Sequence, residues 1–241
     1  MGVLGIALDL GITAPGRLLN FGPDVVHGSV RQWHLEQIRP FLEDPDATGP
    51  SVVARYYPRV SREKDLARWR SRHVEYGILE LMPGMLGAEW VTFPGHIHRG
   101  PARELFPAVF EVIHGDGALY LQRSGPFDRN LNASIVWLSV GDRVLLPPGY
   151  VHTLVNRGAQ PLIVAEVHSE ATRADFTDVA RHRGAGYYLG PAGIRKNRHY
   201  RSSTPAREIA KASMAPPAAP GRDLYHAVLG NPERFRFLHP H

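Results

Sequence analysis

RVLLPPGYVHTLVNRGAQPLIVAEV, residues 143–167, consists of three short apolar runs, RVLLP (143–147), HTLVN (152–156) and PLIVAEV (161–167), parted by Pro-Gly and Asn-Arg-Gly turns. Short runs rich in β-branched and aromatic side chains, punctuated by Gly and Pro, read as strands. The same texture continues upstream in GILELM (77–82), EWVTF (89–93), AVFEVI (108–113), ALYLQ (118–122) and SIVWLSV (134–140), with PGMLG, HGDG and VGD between them. From Tyr76 to Val167 this rhythm predicts an all-β domain: an antiparallel jelly roll of two packed sheets.

Outward from that block the texture changes. Residues 1–72 mix short apolar runs with Pro and charge and read as an N-terminal extension packing on the barrel, which itself occupies 73–180. Within the extension, RQWHLEQIRPFLED (31–44) predicts a short helix stopping near Pro40, because an interior proline lacks a backbone donor and clashes with the preceding turn. Residues 181–241 form a C-terminal extension, partly flexible: SMAPPAAPGRD (213–223) reads as a linker, and DLYHAVLGNPERFRFLHPH (223–241) as a segment that docks on the barrel or on a neighbouring subunit.

The chain has 241 residues and no cysteine, which excludes disulfide frameworks, thiolate zinc sites and cysteine nucleophiles. The N-terminal apolar run is broken by Asp9 and has no leading basic residues, and no stretch approaches the roughly 18 apolar residues of a membrane span, so a soluble cytoplasmic protein is expected. The net charge is +5, spread along the chain; the local cluster Arg195, Lys196, Arg198, Arg201 around Tyr200 reads as a solvated face. With no zinc-finger spacing and no RNA-binding strand motif, a nucleic-acid partner is not expected.

Three of the thirteen histidines have informative surroundings. In PGHIH (94–98), His96 and His98 are two apart, so on a strand both rings project from one face. Paired neutral imidazoles offer two ligands to a borderline divalent metal, and His152, launched into a strand by the Pro-Gly turn of PPGYVH, supplies a third. By contrast His114, before the GDG turn, reads as a turn residue, Tyr187 and Tyr188 as packing, and His239 and His241 as a chain end.

MPGMLGAEWVTFPGHIH (82–98), VFEVIHGDGALYLQ (109–122) and LLPPGYVHTLVNRGAQPLIV (145–164) together resemble the cupin-type glucose-6-phosphate isomerases. The resemblance covers about residues 74 to 168. It implies a cupin double-stranded β-helix with metal ligands His96, His98 and His152, and with Gln122 in the place of the motif glutamine. It also implies a small-molecule substrate and a homodimer. The family's glutamate after the second histidine is replaced by Ala108, and the aromatic after it is Phe110 where the family has tyrosine. Threonines that help hold the substrate's phosphate correspond to Leu79 and Phe93, with Thr92 one place off. The family's late His and Tyr fall near Ala174 and Phe176. A metal held by three neutral imidazoles keeps its full positive charge.

Three carboxylates are candidates to compensate. Glu104, six residues past His98, would complete the metal site if the apparent insertion in RGPARELFP swings it inward. Glu111 lies an odd number of positions from Ala108 and so faces the other side of a regular strand. In PLIVAEVHSE, Leu162, Val164, Glu166 and His168 share one strand face, and the alignment turns that face into the barrel. Glu166 and His168 are therefore the candidate catalytic pair. The readings that follow are a metal-dependent isomerase (Fe, Mn, Zn or Ni) of a small sugar or sugar-phosphate-like hydroxy-carbonyl compound, a cupin with changed oxygenase or lyase chemistry, and a non-catalytic ligand-binding cupin.

Overall fold

The computed structural model describes residues 2–3, 8–12, 17–124, 131–201, 204–216 and 223–239. Most of the Pro- and Ala-rich linker, and His241, lie outside the described residues. Strands β1 (Arg31–His34), β2 (Val52–Tyr57) and β3 (Val74–Leu81) lead into β4 (Met85–Leu86), β5 (Glu89–Thr92) and β6 (Ile97–Arg99). Next come β7 (Ala108–His114), β8 (Gly117–Ser124), β9 (Leu131–Leu138), β10 (Arg143–Leu146), β11 (Val151–Asn156) and β12 (Leu162–Ser169). After these lie β13 (Arg173–Asp175), β14 (Tyr187–Gly190), β15 (Gly193–Lys196) and β16 (Arg207–Glu208). Each of the eight apolar runs is a strand.

The long strands form two six-stranded sheets, ordered β10-β7-β12-β3-β2-β1 and β16-β9-β8-β11-β5-β4. All pairings within them are antiparallel except β9 with β16. Their inner faces meet in one core: Leu79, Leu81, Phe110 and Val112 from the first sheet against Leu119, Leu121, Val136 and Leu154 from the second. This is the all-β cupin jelly roll.

Both outer faces are covered as well. Tyr57, Tyr76, Ile78, Val109, Ile163 and Val167 pack on Leu224, Tyr225, Val228, Phe235 and Leu238 of the C-terminal segment. Tyr120, Ile135 and Val155 on the other sheet pack on Ala185, Tyr187 and Leu189. Burial on two faces is why PLIVA (161–165) is apolar without interruption rather than alternating.

Residues 31–44 depart from the helix expected of them. Arg31–His34 is a strand pairing with Val52–Tyr56, and only Leu35–Ile38 makes an α-helical turn before a 3₁₀ turn at Arg39–Phe41. The strand wins because its pairing sets Trp33 edge-on against Phe93, ring centroids 4.8 Å apart, in the barrel interior. Two strands from residues 31–57 thus extend the first sheet. Among the described residues no helix is long and apolar enough to cross a membrane.

Candidate metal centre

His96 and His152 face each other through a two-bond backbone bridge, His96 N to His152 O at 3.1 Å and His152 N to His96 O at 3.0 Å. Their rings lie 4.1 Å apart, with His98 4.7 Å from His152 and 5.4 Å from His96. One nitrogen from each ring lies within 4.8 Å of the others. Strand alternation sorts the sequence here: Ile97, between the two histidines, turns the other way and packs on Val151 and Val179.

All three imidazoles are buried, and burial pushes each below its usual pKa, His98 and His152 well below, so they stand neutral as metal ligands must. His96 Nδ1 donates to the Pro94 carbonyl at 3.1 Å, leaving the Nε2 lone pair free. His152 Nε2, His98 Nδ1 and Glu166 Oε1 are buried with no hydrogen-bond partner. Buried polar atoms normally find partners. Three neutral imidazoles and an orphaned carboxylate oxygen in one place fit a divalent cation.

Glu104 is not part of this set. It is exposed and folds back to accept the Ala102 N–H at 2.9 Å. The inserted residues close a local turn, Gly100 N to Glu104 O at 2.8 Å and Arg103 N to Gly100 O at 3.1 Å, which turns the carboxylate away from the cluster. The expectation of Glu104 as a ligand is therefore corrected. Glu111 is on the outer face, bonded to Arg143 at 2.7 Å and to the Leu224 N–H at 2.6 Å.

Glu166 sits with the histidines: its Oε1 is 3.1 Å from His98 Nε2, out of line for a hydrogen bond. The register explains how. On β12, His168 pairs with Ala108 and Glu166 with Phe110, so Glu166 lies on the neighbouring strand, one inward-facing pair from the vacated glutamate position. His168 Nδ1 donates to the Ser169 carbonyl at 2.8 Å, so in the neutral ring Nε2 accepts from the Tyr56 hydroxyl at 3.1 Å. Glu75 lies 3.3 Å from the same hydroxyl. Burial, then the Glu166 and Glu75 carboxylates, hold that hydroxyl protonated.

Gln122 faces away from the histidines, because its β8 neighbour Leu121 is the residue opposite His152. Its amide instead anchors the C-terminal part of the chain, accepting from Tyr120 and the Gly186 N–H and donating to the Tyr200 hydroxyl. His114 Nδ1 bonds the Pro161 carbonyl at 2.8 Å, locking the turn it precedes.

The cluster opens into a cavity of about 860 Å³. Its walls include residues that sequence reading did not place there: Trp33 and Tyr56 from the first two strands, with Arg31, Arg59 and Arg173 at its exposed rim. No local signal marks them, because they arrive through pairings distant in sequence, Arg31 with Tyr56 and Tyr56 with Leu79. The Phe176 ring lies 5.2 Å from that of His96, tilted by 40°.

The chain is 26% identical over 115 residues to a glucose-6-phosphate isomerase of Sinorhizobium medicae (strain WSM419), which covers 48% of this chain and 50% of that protein. It is 27% identical over 137 residues to the glucose-6-phosphate isomerase of Thermococcus onnurineus (strain NA1), covering 57% and 62%. The chain thus spans half to about three-fifths of the length of these relatives. Among solved structures it is similar to vicilin from Capsicum annuum, at 15% identity and a TM-score of 0.40, over 56% of this chain and 33% of that one. The family model described as glucose-6-phosphate isomerase (GPI) matches residues 44–205. That match takes in the strands carrying the three histidines and most of the chain, which belongs to the cupin-type glucose-6-phosphate isomerase family.

Proposed function

We propose that this chain is a metal-dependent isomerase-like enzyme that moves a proton between adjacent carbons of a hydroxy-carbonyl substrate of the sugar or sugar-phosphate kind. The observation that carries the reading is the unpaired Glu166 Oε1, buried beside His98 at 3.1 Å and facing the same cavity as all three histidines. A divalent ion held by His96, His98 and His152 (Fe, Mn, Zn or Ni) would supply Lewis acidity that polarises the substrate carbonyl. The protein's own groups do the rest. The Glu166 carboxylate is the base that takes the proton from the hydroxyl-bearing carbon beside the carbonyl and returns it to the former carbonyl carbon, while the hydroxyl proton passes to the former carbonyl oxygen. His168, its two ring nitrogens held by Ser169 and Tyr56, stands as a fixed wall of the cavity beside His98 and positions the substrate by packing. Phe93, Phe110 and Phe176 exclude water from the reacting carbons.

The test is conversion of glucose 6-phosphate to fructose 6-phosphate by purified protein of known metal content, with Mn or Fe restored. Metal-dependent turnover, even slow, is expected, and Glu166→Ala should lower kcat by about 10²-fold or more. Absence of turnover from fully metallated protein contradicts the isomerase reading. A second reading, oxygenase or lyase chemistry on the same site, is favoured by Ala108, Leu79 and Phe93 standing where the resemblance expects polar groups. Oxygen uptake during turnover separates an oxygenase from an isomerase, which consumes none.

A further inference from the structure

The three histidines leave a buried carboxylate to account for. Glu166 is 9% exposed, and among the described residues no Lys or Arg pairs with it. A carboxylate taken out of water needs a cation or several hydrogen bonds to hold its charge. Its Oε1 has no hydrogen-bond partner, although it lies 3.1 Å from His98 Nε2.

Distance and alignment both point to a shared ion. If Glu166 only steadied His98 from behind, the ring N–H would aim at Oε1, as in the carboxylate–histidine pairs that orient metal ligands. Here the contact is out of line. Two donors bound to one divalent ion at about 2.0–2.2 Å, in a tetrahedral or octahedral arrangement, lie about 3.0–3.4 Å apart, and each aims at the ion rather than at the other. Oε1 and Nε2 stand in that relation. Other carboxylates are committed elsewhere: Glu104 folds back on Ala102, Glu111 pairs with Arg143 on the outer face, and Glu75 and Glu170 serve Tyr56 and His73. On the neighbouring strand β7, Ala108 offers no donor, and Glu166 reaches in from β12 opposite Phe110.

We infer that Glu166 is the fourth protein ligand, so that the centre consists of three imidazoles and one carboxylate drawn from β12. The inference rests on the metal site of the proposed function. One oxygen on the ion leaves the other, on a residue that also borders the cavity, to act as the base. The carboxylate offsets one of the two positive charges that three neutral imidazoles would leave uncompensated.

Titration with Mn, the free ion followed by electron paramagnetic resonance, tests this without turnover. Glu166→Gln keeps the shape and removes the anionic donor, so it should weaken Mn binding by about a hundredfold or more. Glu75→Gln removes a carboxylate of the same cavity outside the cluster and should stay within about threefold of the parent. Glu166→Asp keeps the charge but withdraws the oxygen by one methylene; it should lose about tenfold or more, whereas an effect of charge alone would spare it. Each variant is compared with the parent by circular dichroism. Should one fail to fold, the crystal structure of the Zn-loaded parent decides, with a Glu166 oxygen expected at about 2.0–2.2 Å from the ion. Parent affinity in Glu166→Gln or Glu166→Asp, an equal loss in Glu75→Gln, or an ion with both Glu166 oxygens beyond about 3 Å would each overturn the inference. Failure of glucose 6-phosphate turnover contradicts only the isomerase reading, since Mn affinity does not depend on it.

Discussion

Glu89 opens β5 with its carboxylate buried, accepting the Glu43 N–H at 2.7 Å. Burial, reinforced by the Glu43 carboxylate, raises its pKa to about 7 from an ordinary 4.5. Because the folded value is the higher one, the folded state binds the proton more tightly. Its contribution to stability is full below about pH 4.5 and is lost as pH rises through about 7. Glu89→Gln keeps the acceptor without the charge, so it should gain on the order of 2 kcal/mol over the parent between pH 5 and pH 8. Urea unfolding of both proteins at the two pH values measures this, and identical pH dependence would refute it. The residues of the cluster differ in how well their sequence marks them. His96 and His98 are legible because alternation fixes their shared face, and His152 because a Pro-Gly turn places it at a strand start. Glu104 misled because its sequence distance from His98 does not show that the inserted turn closes on itself.

At the scale of elements, β12 carries the most information. Its inward set, Leu162, Val164, Glu166 and His168, is readable from period two, and the structure pairs these residues with Leu81, Leu79, Gly77 and Glu75 of β3. Gly77 is the close-approach point. A Cβ there would overlap the Tyr56 hydroxyl and ring, which occupy the space over its backbone. Gly77→Ala should therefore displace Tyr56 from His168 and destabilise the fold by about 1–3 kcal/mol, read from thermal or urea unfolding. A variant as stable as the parent would show that Tyr56 is not held there. The element the sequence concealed is β1: RQWH with its following turn carries a helical pattern, and only tertiary packing of Trp33 on Phe93 makes it a strand. Hence the jelly roll was legible and the cavity's outer wall was not.

Across the whole molecule, the outer face of the first sheet depends on the chain's far end. Leu224, Tyr225, Val228, Phe235 and Leu238 are nearly fully buried on it, and the Tyr225 hydroxyl bonds Asp65 at 3.1 Å and the Arg62 N–H at 3.0 Å. Each such apolar side chain contributes about 1.5–3 kcal/mol, against a total stability of about 5–15 kcal/mol. A chain ending at Met214 should therefore fail to give soluble protein with a cooperative unfolding transition, and a soluble, cooperatively folded truncation would contradict this docking. The sequence marks that segment as one that docks, but not the surface it covers, since the contact gathers residues scattered from Tyr57 to Val167. The central claim is one divalent ion per chain at His96, His98 and His152, and metal analysis by mass spectrometry tests it most directly. The parent protein should carry one equivalent, and His96→Ala and His152→Ala essentially none, each with the parent's circular dichroism. A full equivalent retained in both folded variants would contradict it.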